Sequence, residues 1–208
     1  MVEEMVNKIH WLGHDGFYVE GSKVVYFDPW EISAGPQADI ICISHEHFDH
    51  CSPDDVKKVS KADTVIVTEA ASAKKLSGDV RVLKPGDTLE VGGVKITAFP
   101  SYNTDKAFHP KENGWLGFLV ELDGVRIYHT GDSDFIPEMR DLDVDIALIP
   151  VSGTYVMDAA QAVEAARAIR PKVAIPMHYG KIVGSEEDAR KFQKALEGEI
   201  TVVIKRKE

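Results

Sequence analysis

The chain has 208 residues, with 44% hydrophobic and 28% charged residues and a formal net charge of -10. That length suits one substantial core rather than two, no apolar run approaches the roughly 18 residues of a membrane span, and the acidic balance repels phosphate backbones, which counts against nucleic acid as a partner. The opening MVEEMVNKIH lacks the apolar run of a signal peptide, and two cysteines define no disulfide framework, so a cytoplasmic single domain over residues 1–208 is expected. Asn and Gln are scarce at three each, a composition that resembles proteins from hot environments.

In chain order, FYVE-GS-KVVYF, TLEV-GG-VKITAF and FLVEL-DG-VRIYH each read as a hairpin with a two-residue turn. ADIICIS, DTVIVT, VDIALIP and KVAIPM read as short buried strands. Ser52 before Pro53 predicts a helix start, Asp158 with Gln161 predicts a second that stops before Pro171, and Ser185 opens a third with Ala189, Phe192 and Leu196 on one face. Hairpins dominate the first half and helices enter the second, which fits an α/β sandwich of two mixed β-sheets with helices on the outer faces. The repeat of hairpins then helices permits an old duplication.

The stretch SHEHFDH, residues 44–50, concentrates three of the eight histidines with two carboxylates at the end of the strand ADIICIS. His45, His47, Asp49 and His50 offer N and O donors suited to zinc, manganese or iron. Four donors so close cannot all serve one tetrahedral ion, so two neighbouring ions are expected. Asp132 in YHTGDSD and His178 in PMHYGK also follow strands and can join the same rim. Cys51 is expected to pack or to support the ligands, and Cys42 to be a small buried hydrophobe.

HxHxDH, a Gly-Asp after a strand and a late His together resemble the metallo-β-lactamase fold superfamily of metal-dependent hydrolases, over residues 45–178. The GHDGF start, YHTGDSDFIPEM, PVSGTYVMD and PMHYG are most similar to its small lactonase-like branch, which includes L-ascorbate-6-phosphate lactonases. The resemblance implies a four-layer αβ/βα sandwich. It implies that His45 and His47 hold a first metal, that Asp49, His50 and His178 hold a second, and that Asp132 bridges them. The third histidine of the first metal departs from the family pattern: Asn103 stands where many relatives carry it, and His109 follows six residues later. Imidazole binds these metals better than an amide oxygen, which favours His109.

Two divalent ions held close together lower the pKa of a shared water and polarise the oxygen of the bond it attacks. Asp49 is the candidate catalytic residue that orients that water or accepts its proton, and His14 is a candidate proton donor or support for a ligand. His10 and His129 are read as structural. Asn103, Tyr155, Tyr179 and Lys181, with Tyr102 and Lys111 nearby, are candidate substrate contacts, and the helix start at Asp158 offers its amides either to an anion or to Asp158 itself. The leading expectation is a hydrolase of a small anionic ester or lactone with two divalent ions, zinc or manganese first and iron or nickel also suited. A phosphodiesterase or nuclease on the same centre and a noncatalytic metal or ligand binder are the competing readings. Residues alone leave a homo-oligomer open.

Overall fold

The computed structural model describes residues 1–140 and 142–208. A short helix α1 (Val2–Asn7) precedes strands β1 (Ile9–Gly13), β2 (Gly16–Glu20), β3 (Val24–Phe27) and β4 (Ala38–Cys42). Helix α2 (Pro53–Val59), strand β5 (Ser60–Thr68), helix α3 (Ala70–Ala73) and strand β6 (Asp79–Val82) complete the first half. These strands form a six-stranded sheet in sequence order, antiparallel from β1 to β3 and parallel from β3 to β6.

The second half repeats the plan. Strands β7 (Thr88–Val91), β8 (Val94–Pro100), β9 (Leu116–Leu122) and β10 (Val125–His129) pair antiparallel; β11 (Ile146–Pro150), β12 (Val173–Met177) and β13 (Thr201–Val202) continue in parallel. Helix α4 (Ala159–Ile169) crosses from β11 to β12, and α5 (Glu186–Ala195) from β12 to β13. Parallel neighbours need such crossovers, whereas antiparallel neighbours need only a turn.

Local chemistry sets the boundaries. The β9–β10 turn places Asp123 at φ 52° and Gly124 at φ 73°, the two positive values that a tight hairpin of this hand requires. The first hairpin differs from expectation, because the pairing of Glu20 with Val24 leaves three turn residues rather than two. Its turn is held from outside, where the Ser22 amide donates to Asp123 Oδ2 at 2.8 Å. The tips of the two hairpins are thereby joined. Ser52 caps α2, and Asp158 with Gln161 forms a reciprocal capping box on α4, a feature worth about 1 kcal/mol. That box gives the helix start to Asp158 rather than to an anion.

Alternation along the strands sorts the core. Val19, Val25, Phe27, Ile40 and Cys42 of the first sheet share one buried cluster with Ile96, Ala98, Phe118, Val120 and Ile127 of the second. The other face of the first sheet, including Tyr26, Ile41 and Ile66, packs on Val56 and Val59 from the α2 region. Helices α4 and α5 bury Ala162, Val163, Ala166, Ile169, Ala189 and Phe192. The architecture is the α/β sandwich of two mixed sheets that the hairpin and helix signals predict. No helix among the described residues is long and apolar enough to cross a membrane.

Candidate metal centre

The loop after β4 is folded by a buried carboxylate. Asp28, at the end of β3, accepts from the Ser44 amide at 2.7 Å and the Ser44 hydroxyl at 2.6 Å, and lies 2.8 Å from His50 Nδ1. Ser44 Oγ, having donated to Asp28, is 2.9 Å from His45 Nδ1 and accepts from it. Both rings therefore carry a proton on Nδ1 and turn Nε2 toward the loop mouth, where that of His45 lies 2.9 Å from His47 Nδ1. The His47 carbonyl accepts from the amides of His50 and Cys51, a turn that gathers His45, His47, Asp49 and His50 on one side.

Three loops of the second half bring the remaining groups. His109 Nδ1 is 3.2 Å from both Asn103 Oδ1 and the Tyr155 carbonyl, which only accept, so its proton sits there and its Nε2 faces Asp132 at 3.1 Å. Asn103 is fully engaged, accepting from the His109 amide and donating to the Tyr155 carbonyl. The structure thus brings His109, rather than Asn103, to the donor cluster. His178 Nδ1 contacts Ser152 Oγ at 2.7 Å and its Nε2 is 3.3 Å from Asp132. Asp132 follows Gly131 at φ 62°; a Cβ there would meet the Leu116 carbonyl at 2.6 Å, so only glycine lets the loop pass this closely.

Two groups of donors result. One atom each from His45, His47 and His109 lie within 4.8 Å of one another, as do atoms from His14, Asp49, His50 and His178. Asp132 Oδ2 stands between them, 3.1 Å from His109, 3.3 Å from His178, 3.4 Å from His50 and 4.0 Å from His45. His50 Nε2, His109 Nε2 and Asp132 Oδ1 are buried without a hydrogen-bond partner. Such orphaned donors are costly unless something else satisfies them, and their convergence fits divalent cations.

The electrostatics agree. Burial, reinforced by the neighbouring imidazole of His50, holds His45 well below the usual imidazole range and leaves it neutral; burial and His109 lower His47 in the same way. Burial opposes charge on His50, but Asp132 and Asp28 overrule it and push that ring well up. Burial also opposes ionisation of Asp132, yet His178 and His50 hold it well below the carboxylate range. The carboxylate between the two groups is thus held ionised, while His45 and His47 are held neutral, the forms in which these side chains bind a cation. Asp49 is lowered despite burial because His14 Nε2, 3.0 Å away, bonds its carboxylate.

The other expected positions are spread out. Tyr155 lines the pocket over the donors, where it meets Phe108 edge-on at 4.8 Å. That pocket is about 230 Å³, and exposed Phe48, Phe108 and Ile182 form its rim. Tyr179 is buried against Trp11 and borders a different cavity with Lys181, which pairs with Glu31. Lys111 pairs with Glu138 and Tyr102, outside the pocket. His129 is structural, taking the Gly131 amide on Nδ1 and donating from Nε2 to the Asp15 carbonyl. His10 lies away on β1, bonded to Glu208. Cys51 belongs to the cluster beneath α2 and to none of the donor groups among the described residues.

Sequence reasoning missed Asp15, Asp28, Ser44 and Ser152. Asp28 carries one signal, an acid in FDPW directly after a strand. Asp15 follows His14 and is wholly buried with neither carboxylate oxygen partnered; burial, then Asp132, raise it well above the usual range.

The geometry has relatives. A family model described as a beta-lactamase superfamily domain matches residues 8–178, and the chain belongs to that superfamily. More particularly, it is 35% identical to a UPF0173 metal-dependent hydrolase of Thermoplasma acidophilum, covering 95% of this chain and 93% of that one. Among solved structures it resembles a protein described as a metal-dependent hydrolase from Parabacteroides distasonis, with a TM-score of 0.85 and 37% identity over 96% of this chain and 93% of that chain. A protein described as a zinc-dependent hydrolase of the metallo-β-lactamase superfamily from Thermotoga maritima aligns with a TM-score of 0.67 and 25% identity, over 96% and 98% of the two chains.

Proposed function

We propose that this chain is a metal-dependent hydrolase that holds two divalent ions and cleaves a small ester or lactone with an apolar side. One observation carries the reading: two buried donor groups meet at a single carboxylate, Asp132, beneath a pocket rimmed by Phe48, Phe108 and Ile182. His45, His47 and His109 would hold one ion, Asp49, His50 and His178 the other, with Asp132 between. Two such ions supply a water made nucleophilic near neutral pH and a polarised substrate oxygen. Zinc or manganese suits the donors best, and iron or nickel is compatible.

The chain's own residues do the rest. Asp49 is ionised and fixed by His14, so it is set to orient the attacking water and to take its proton. His14 gives its Nε2 proton to that hydrogen bond and therefore acts through Asp49. Tyr155 and Phe108 flank the substrate's bound face and exclude water. No lysine or arginine lines this pocket among the described residues, so an anionic group would be met by the ions alone, and the apolar Phe48, Phe108 and Ile182 favour a substrate with an apolar side.

The test is hydrolysis by metal-analysed protein across lactones, alkyl and aryl esters, thioesters and phosphodiesters, repeated after chelation and metal return. Turnover of an ester or lactone with an apolar side, lost on chelation and restored by metal, is the expected result. Turnover indifferent to chelation, or confined to phosphodiesters, overturns the proposal.

A further inference from the structure

A cavity of about 750 Å³ lies apart from the pocket over the donors and is larger than it. It opens between β1, the loop after β12, helix α5 and residues 204–207, and it is within the range of about 300–1,000 Å³ that small-ligand sites occupy. Its charge is opposite to that of the chain. Acids outnumber bases overall, 34 to 24, yet Lys181, Arg190, Lys205, Arg206 and Lys207 line this cavity against one acid, Glu186. A cleft of one sign in a molecule of the other concentrates counter-ions of matching charge.

Three of those cations are committed. Arg190 pairs with Glu186, Lys181 with Glu31, and Lys205 Nζ donates to the Val6 carbonyl. Arg206 and Lys207 have no partner among the described residues.

They are nevertheless held in place. Lys207 bridges Trp11 in parallel, the Glu208 amide donates to the Trp11 carbonyl at 3.0 Å, and the Glu208 carboxylate accepts from Tyr18 at 3.0 Å and contacts His10 at 2.6 Å. Residues 207 and 208 are thus pinned to β1 by a single isolated bridge and these side-chain bonds. Between the cations lies an apolar floor, where the rings of Trp11 and Tyr179 meet at 4.8 Å and Ile204 adjoins them.

We infer that this cavity is a second binding site, distinct from the pocket over the metal donors, for a small organic polyanion that carries a flat ring. The ring lies along the edges that Trp11 and Tyr179 leave open to the cavity beside Ile204, and the anionic groups reach Arg206 and Lys207.

The experiment is calorimetric titration of the metal-loaded full chain with pyrene-1,3,6,8-tetrasulfonate, a flat polyanion whose sulfonates are poor ligands for divalent metals. Arg206→Glu with Lys207→Glu should weaken binding about tenfold or more. Lys84→Glu with Lys95→Glu, exposed on the second half, exchanges two cations for two anions equally and should leave binding within about twofold. Arg190→Gln, on the helix wall, should give a smaller loss than the tail pair. No binding by the wild type overturns the proposal, as do equal losses in the two double variants. Binding that vanishes on metal removal would put the probe on the metal centre and overturn it as well.

Discussion

The two halves of the molecule share one plan, an antiparallel run followed by parallel strands with helical crossovers, but they deliver donors differently. The first half places His45, His47, Asp49 and His50 in one loop, and one carboxylate, Asp28, fixes its conformation through Ser44 and His50. The second half contributes His109, Asp132 and His178 from three loops, each with a separate anchor: Asn103, Gly131 and Ser152. A concentrated donor loop thus depends on one support, whereas dispersed donors need one apiece. The first arrangement is compact but fails as a unit; the second fails piecemeal.

Substitutions can break that comparison. Asp132→Ala should have the largest effect, because it faces both donor groups: metal content should fall in both, with a loss of turnover beyond the roughly 100-fold that supporting partners cost. Two full metal equivalents retained in that variant would remove Asp132 from its place between the groups.

Asp28→Ala comes next. It frees both Ser44 donors and His50 at once, so on the proposed two-ion reading affinity should drop about 100-fold at both donor groups, and the buried Ser44 amide left unpaired should cost about 1–3 kcal/mol in unfolding by urea. Asn103→Ala should cost nearer tenfold, and only at the proposed site of His45, His47 and His109, measured as one weakened step in a two-step metal titration. Equal damage from Asp28→Ala and Asn103→Ala would erase the distinction between the halves. Smallest is Asp123→Ala, which removes the bond to Ser22; stability should fall by about 1 kcal/mol with metal binding unchanged.

The same contrast explains what could be read from the residues. The dense loop announces itself, since no ordinary surface places three imidazoles in seven positions, and the hairpins at Gly92-Gly93 and Asp123-Gly124 follow from backbone chemistry local to the turn. His109 was harder because its neighbour Asn103 stands nearer to the expected position, and only the three-dimensional path of the loop shows the amide bonding backbone while the imidazole turns inward. Asp15 had no pattern to stand in and Asp28 only its place after a strand, where a single acid looks like any solvated carboxylate until its burial is known. Strand β6 and helix α1 were also silent: DVRV is mostly exposed at a sheet edge, and VEEMVN buries only Met5 and Val6.

The joined hairpin tips have a mechanical consequence. The Ser22–Asp123 bond sits at the turn ends of β2–β3 and β9–β10, whereas Asp28 and Asp132 lie beyond the opposite ends of β3 and β10. The two sheets are therefore fastened at one end by protein alone and at the other by a cluster of donors. Amide hydrogen exchange would display that asymmetry: withdrawing cations should loosen residues 44–50 and 101–109 while the tips at 21–23 and 122–124 keep their protection, so that the sandwich opens from its donor rim like a clasp whose hinge remains shut.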